Sequence, residues 1–169
     1  GEIFDVLVVG GGIQGATIAW AAARRNLRVA VMEAADWGSG ASANSLKIIH
    51  GGLRYLQQAD LPRVLESIRE RSTLLRTAPH LVAPVPCMMP TRGLGMKSRP
   101  VMAAGMLAND ILSFHRNCHL DPLRRIPNGA TLSRRECLDI LPALAHTPTT
   151  GAARWHDGLA FDTERLVIG

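Results

Sequence analysis

DVLVVGGGIQGATIAWAAARRNLRVAVME, residues 5–33, decides the fold of this chain. Val6 to Val9 make an apolar run of the kind that a strand buried on both faces requires. Gly10, Gly12 and Gly15 follow as G-x-G-x-x-G. The first glycine permits a tight turn, the second lets the backbone approach a pyrophosphate, and the third lets the next helix pack close to the strand. That helix is predicted from Ile13 to Arg25, with its free N–H groups and positive dipole end facing the pyrophosphate. A second strand is predicted from Arg28 to Met32, and Glu33 closes it with a carboxylate suited to a ribose diol and hostile to a 2′-phosphate. A glycine motif alone is weak evidence. Flanked by strand, helix, strand and carboxylate, it reads as a dinucleotide site.

The rest of the composition sets bounds. A chain of 169 residues has room for one ordinary domain, and 47% hydrophobic with 20% charged residues is a folded rather than a disordered profile. The chain starts at Gly1 without an initiator Met and stops a few residues into a helical pattern, so it reads as an N-terminal piece of a longer protein. Cys87, Cys118 and Cys137 stand far apart with no C-x-x-C pair, which reads as free thiols in a reducing compartment. No apolar run reaches the roughly 18–20 residues of a membrane span. Net charge is +5, yet the basic residues are dispersed and aromatic content is 4%, too little for the stacking platforms of nucleic-acid binding. Attraction to phosphorylated small molecules or anionic lipid suits this charge better, with a merely solvated, arginine-biased surface as the default reading.

Ala34 to Gly52, AADWGSGASANSLKIIHGG, departs from a simple NAD-binding unit, which proceeds quickly to another helix. Its Gly38, Ser39, Gly40, Ser42, Asn44 and Ser45 suit a loop that wraps a second, polar length of cofactor. GGGIQGA, then Glu33, then S-x-x-S-L-K-I-I-H-G-G-L-R-Y-L resembles the FAD-dependent glycerol-3-phosphate dehydrogenases, within the larger group of flavoproteins typified by D-amino-acid oxidase. The resemblance covers nearly the whole chain and is sharpest from Asp5 to Leu56. It implies that Gly10, Gly12, Ile13, Gln14, Gly15 and Glu33 bind the adenosine and pyrophosphate of FAD. It further implies that Ser42, Ser45 and Lys47 lie along the pyrophosphate and ribityl chain, that Ile49, His50 and Gly52 meet the cofactor, and that Arg54 and Tyr55 reach the substrate. An arginine fork binds phosphate bidentately, which agrees with that role. His50 reads as a structural histidine with its ring packed inside, with a proton-transfer group as the alternative. Thr17, Ala21 and Asn26 replace a glycine, an aspartate and the glycine of an R-G turn common in the family.

Farther along, Asp60 and Pro62 open a predicted helix that stops before Pro79, with Leu61, Val64, Leu65, Ile68, Ser72 and Leu75 on its inner face. Leu81 to Thr91, broken by three prolines, suits a short strand and connections. Pro100 to Leu112 reads as a helix. Arg92, Lys97 and Arg99 beside Met102, Met106 and Leu107 suit either a membrane-surface patch or a buried helix with a solvated basic start. His115, Cys118 and His119 lack a further ligand pair, so no metal is expected. Ser133 to Glu136 is a capping box, and Thr150 to Phe161 reads as a hairpin turning at Asp157-Gly158. Asp162 to Leu166 matches a D-x-x-R-L segment where the family's chain returns to the flavin domain.

The expected fold is α/β: a Rossmann-like FAD-binding part over 1–80, the start of a substrate or cap region over 81–150, and a return to the FAD domain over 151–169. By the resemblance, the function is oxidation of sn-glycerol 3-phosphate to dihydroxyacetone phosphate, with electrons passed to quinone. The protein is then cytoplasmic or peripheral on the inner face of the cytoplasmic membrane. The catalytic base is expected beyond Gly169. Two alternatives stay open: a related flavin enzyme acting on an amine or 2-hydroxy acid, and an inactive nucleotide-binding piece.

Overall fold

The structure, a computed structural model, describes residues 2–169. It has two compact units, one running up to Ile48 and completed by Ala160–Gly169, the other spanning Ile49–Leu159.

In the first unit, β1 (Val6–Val9) pairs in parallel with β2 (Val29–Met32), placing Val6 opposite Val29 and Val9 opposite Met32. Between them α1 (Ile13–Ala23) packs on both strands. It ends slightly before Arg25, and Asn26 then turns the chain with φ +61°. Asparagine tolerates this left-handed conformation better than most residues. Val8 is buried, but Leu7 and Val9 are 59% and 82% exposed.

Residues 34–47 hold no helix or strand. They fold back on the glycine turn, with the Gly38 N–H donating to the Gly11 carbonyl at 2.9 Å.

The second unit holds a four-stranded sheet. Its members are β3 (Ile48–Ile49), β4 (Val82–Arg92), β5 (Ala130–Ser133) and β6 (Thr149–Ala160), in the order β3-β6-β4 with β5 also paired to β6. β5 runs antiparallel, with Ala130 opposite Arg154 and Ser133 opposite Gly151. The short α2 (Leu53–Leu56) starts at Gly52, and α3 (Leu61–Thr77) is capped by Asp60, which accepts the Arg63 N–H at 3.3 Å. Two sequence expectations need correction here. β4 is one strand of 11 residues, since its prolines sit on an edge where no ladder partner needs their missing N–H. β6 runs unbroken through Asp157-Gly158 instead of turning there, because the Asp157 side chain is buried and bonded rather than folded over a turn.

α3 brings a third correction. Its buried residues are Val64, Ile68, Arg71 and Leu75, while Leu61 and Leu65 are 47% and 36% exposed. An arginine thus takes a place on the inner face. α4 (Arg99–Leu112) buries Met102 and Met106 against Ala153, with Leu53, Met89 and Trp155 around them. These two methionines are core and take no part in a surface patch, while Leu107 is 64% exposed and Arg92, Lys97 and Arg99 are exposed. α5 (Arg134–Ile140) carries the expected capping box, with Ser133 and Glu136 exchanging side-chain and backbone bonds. Cys137 from α5 joins Leu132 and Ala152 in a second apolar cluster.

After β6 the chain rejoins the first unit, where α6 (Thr163–Ile168) packs on α1. Asp162 caps it by accepting the Arg165 N–H at 2.9 Å. No helix is long and apolar enough to cross a membrane among the described residues.

Candidate functional site

The first unit builds a cradle at the start of α1. Gly10 has φ +110°, and a Cβ on Gly15 would sit 1.9 Å from the Gly10 carbonyl oxygen, so helix and turn approach only because both are glycine. The Gly11 N–H donates to Glu33 Oε2 at 2.6 Å, and the Ala35 N–H to Oε1 at 2.9 Å. The N–H groups of Ala35 and Gly11 hold the Glu33 carboxyl below its ordinary range. The first helical N–H, of Ile13, donates to Ser42 Oγ at 2.9 Å. Gly12 itself supplies no side-chain cap, so a serine 29 residues away does.

This chemistry fits a dinucleotide. Each Glu33 oxygen accepts one backbone bond and retains a lone pair for a ribose hydroxyl. Ser42, accepting through Oγ, retains its O–H to donate to a phosphate oxygen. Gln14 is exposed in the first turn of α1. Ser45 is exposed, its Oγ accepting from the Lys47 N–H at 3.1 Å. Lys47 takes φ +57° and pairs with Glu164 of α6 at 3.7 Å, so its ammonium has a carboxylate partner within this unit. Trp37, which the sequence reading did not single out, lies on the middle glycine: a Cβ on Gly11 would come within 2.5 Å of its ring.

The second unit holds a different kind of site, centred on Asp157. This carboxylate is 3% exposed. Its Oδ1 accepts the Gly51 N–H at 2.8 Å and Arg71 Nη1 at 3.1 Å. Its Oδ2 lies 3.0 Å from His50 Nδ1 and accepts Trp155 Nε1 at 3.2 Å. Arg71 also donates to the His156 carbonyl at 2.8 Å. Burial pulls the Arg71 guanidinium below its ordinary value, and Asp157 opposes that shift. Cys87 Sγ is 4.0 Å from Oδ2; burial and then the Asp157 charge push its thiol up, so it stays a neutral S–H. Burial, followed by Arg154 and Arg71, pulls His156 down.

Gly51 and Gly52 are glycines for reasons this geometry supplies. A Cβ on Gly51 would fall 1.9 Å from Arg71 Nη1. Gly52 has φ +82°, and its Cβ would meet the α3 backbone at Val64 at 3.0 Å. Ile49 packs beside Gly158 at the same point.

The imidazole of His50, expected inside, is instead 69% exposed. It lines an open cleft with Tyr55, Arg63, Glu66, Ser67 and Glu70. The Arg63 guanidinium stands 5.8 Å from the Tyr55 ring centroid. Arg54 is exposed outside that lining and joins no ion pair among the described residues. The structure thus gathers Gly10, Gly12, Ile13, Gly15, Glu33 and Ser42 in one unit, and Ile49, His50, Gly52 and Tyr55 in the other.

Arg71 and Asp157 escaped the sequence reading. One signal was present: positions 64, 68, 71 and 75 fall on one helical face, which places Arg71 with three apolar residues.

The FAD dependent oxidoreductase (DAO) family model matches residues 5–169. A glycerol-3-phosphate dehydrogenase of Synechocystis sp. is 37% identical over 163 residues, covering 96% of this chain and 28% of that protein. One from Mycobacterium leprae is 39% identical over 167 residues, covering 98% of this chain and 27% of that protein. The chain therefore spans little more than a quarter of these curated relatives. Among solved structures, the glycerol-3-phosphate dehydrogenase from Bacillus halodurans complexed with FAD has TM-score 0.63 at 23% identity, over 99% of this chain and 23% of that one. L-proline dehydrogenase from P. horikoshii has TM-score 0.65 at 19% identity, over 99% and 40%. These two likenesses concern the fold; the family match, reaching from the glycine turn through α6, makes this chain a member of the FAD dependent oxidoreductases.

Proposed function

We infer that this chain supplies the nucleotide cradle and part of the substrate site of an enzyme that oxidises sn-glycerol 3-phosphate to dihydroxyacetone phosphate. The observation that carries the reading is Arg54: a guanidinium left exposed, directly after the Gly51-Gly52 turn that Asp157 anchors, in a chain whose relatives bear the name glycerol-3-phosphate dehydrogenase. Bound FAD supplies the two-electron acceptance that takes hydride from the carbinol carbon. The chain's own residues do the rest. Gly11, Ile13, Glu33 and Ser42 hold the adenosine and pyrophosphate end, Arg54 grips the substrate phosphate, and His50, in place of the base expected beyond Gly169, takes the hydroxyl proton. Glu66 and Glu70 line the cleft beside His50 and repel a phosphate dianion, so the anionic end belongs at Arg54 rather than in that cleft. A quinone acceptor and a peripheral position on the inner face of the cytoplasmic membrane complete the proposal and rest on the resemblance alone.

The protein carrying this chain is expected to purify yellow, with a flavin spectrum and adenine nucleotide released on denaturation, and to oxidise glycerol 3-phosphate. A colourless preparation that binds NAD tightly and cannot be reconstituted with FAD overturns the reading. A second expectation concerns Glu33. In Glu33→Gln an NH₂ group must face one of the two backbone N–H donors now bonded at Gly11 and Ala35. A charge-assisted hydrogen bond contributes about 1.5–3 kcal/mol, so FAD should dissociate roughly 10- to 150-fold more readily, while turnover at saturating FAD changes little. Because the Glu33 carboxyl sits below its ordinary range, its ionised form persists as pH falls past the ordinary value and is lost only on passing through the lowered one. Equilibrium dialysis of flavin against the variant checks the first point, and unchanged affinity would remove Glu33 from the ribose site.

A further inference from the structure

We propose that Asp157 is the positioning residue of this site: it fixes the tautomer and orientation of His50, leaving His50 Nε2 as the acceptor of the substrate hydroxyl proton. The inference deepens the functional reading above and rests on it for the identity of the substrate.

The argument begins with what Asp157 does not need. A buried carboxylate requires a counter-charge and donors for its lone pairs. Arg71 and the Gly51 N–H meet that need at Oδ1, and the half-buried Trp155 indole N–H, which itself requires an acceptor, adds a donor at Oδ2. His50 is different. Within the described residues its side chain is 69% exposed, so burial among them does not force it onto Asp157. Yet its Nδ1 is held 3.0 Å from Oδ2. A carboxylate flanked by a guanidinium only accepts hydrogen bonds, so Nδ1 carries the proton and Nε2 carries the lone pair.

Rigidity comes from the other partners. Oδ1 is pinned between a backbone N–H and a guanidinium that also bonds the His156 carbonyl, all on or against the unbroken strand β6. The same carboxylate fixes the backbone of the residue after His50, through Gly51, and the ring of His50 itself. An imidazole anchored at both backbone and ring by one immobile group has one orientation. Such support of an imidazole through its distal nitrogen is how carboxylates prepare histidine for proton transfer. In the reaction, the substrate O–H proton passes to the Nε2 lone pair while Nδ1–H stays bonded to Asp157, which takes up no proton.

The test reads the tautomer directly. In the FAD-loaded protein labelled with ¹⁵N-histidine, long-range ¹H–¹⁵N spectra are expected to show neutral His50 protonated at Nδ1, its signals assigned by their loss in His50→Gln. A wild-type His50 protonated at Nε2 overturns the proposal, whatever the variants do. In Asp157→Asn the amide oxygen turns to the Gly51 and Arg71 donors, and the NH₂ faces His50 and the Trp155 N–H, which loses its acceptor, so Nδ1 must accept and the proton moves to Nε2. The kcat for glycerol 3-phosphate should then fall by about 10²–10⁴-fold, with KM and FAD content near their wild-type values. A folded, FAD-loaded variant with an unmoved tautomer or an unchanged kcat also overturns it. Should Asp157→Asn fail to fold, the neutral pair Arg71→Met with Asp157→Asn carries the same tautomer readout. Absence of glycerol 3-phosphate oxidation in the wild type, with Nδ1 protonated as expected, overturns the substrate reading and leaves the hold of Asp157 on His50 standing.

Discussion

Arg71→Met is expected to destabilise the protein by about 3–5 kcal/mol in denaturant unfolding, the usual consequence of leaving one member of a buried ion pair without its partner. Both side chains of the pair are almost fully enclosed, at 3% and 4% exposure. Methionine fills much of the arginine stem's volume but leaves Asp157 charged and buried with neutral donors only. The double variant Arg71→Met with Asp157→Asn removes both charges and should recover more than half of the loss, since a neutral pair needs no counter-charge. Equal losses in the single and double variants would assign the contribution of Arg71 to packing of its stem beside Gly158 rather than to charge.

Arg54→Ala should act on chemistry and spare the fold. Truncating a group that pairs a desolvated charge costs about 2–5 kcal/mol of binding, so kcat/KM for glycerol 3-phosphate should fall roughly 30-fold to several thousand-fold. Exposed and outside every ion pair among the described residues, Arg54 has little structural work to lose, so FAD content and melting temperature should hold. Unphosphorylated glycerol, a poor substrate from the outset, should lose far less activity. Steady-state kinetics on the two alcohols decide the matter: equal losses for both, or loss of flavin together with stability, would make Arg54 structural.

The parts of this molecule legible in its sequence are those whose causes are local. A strand, three glycines at fixed offsets and a helix N-terminus lie within a few residues of one another, so the βαβ unit and its cradle follow from spacing. The caps at Asp60, Ser133 and Asp162 are equally local, each closing on a residue three places ahead. Asp157 was opaque for the opposite reason. Asp-Gly between apolar runs is a strong turn signal, and it is overruled here by donors that come from Gly51 and Arg71, distant in the chain. Arg71 was hidden by its charge, which reads as solvent-facing until a buried carboxylate supplies the reason to bury it. The same distance effect misjudged His50: its place before Gly-Gly was plain, but the group that holds its ring was not.

The bond between Gly51 and Asp157 spans 106 residues, and that span has a consequence for the order of events during synthesis. The contacts of the nucleotide cradle are closer, Glu33 lying 22 residues from Gly11 and Ser42 29 from Ile13. Nearby contacts form sooner because less chain must be brought together. With translation at about 5–20 residues per second, the turn at His50 waits roughly 5–20 s after its own emergence for the strand that fixes it. Throughout that interval the nascent chain carries a glycine turn able to close on itself, beside an imidazole that nothing yet aims. The glycine turn closes early, and the hold on His50 waits until β6 has emerged.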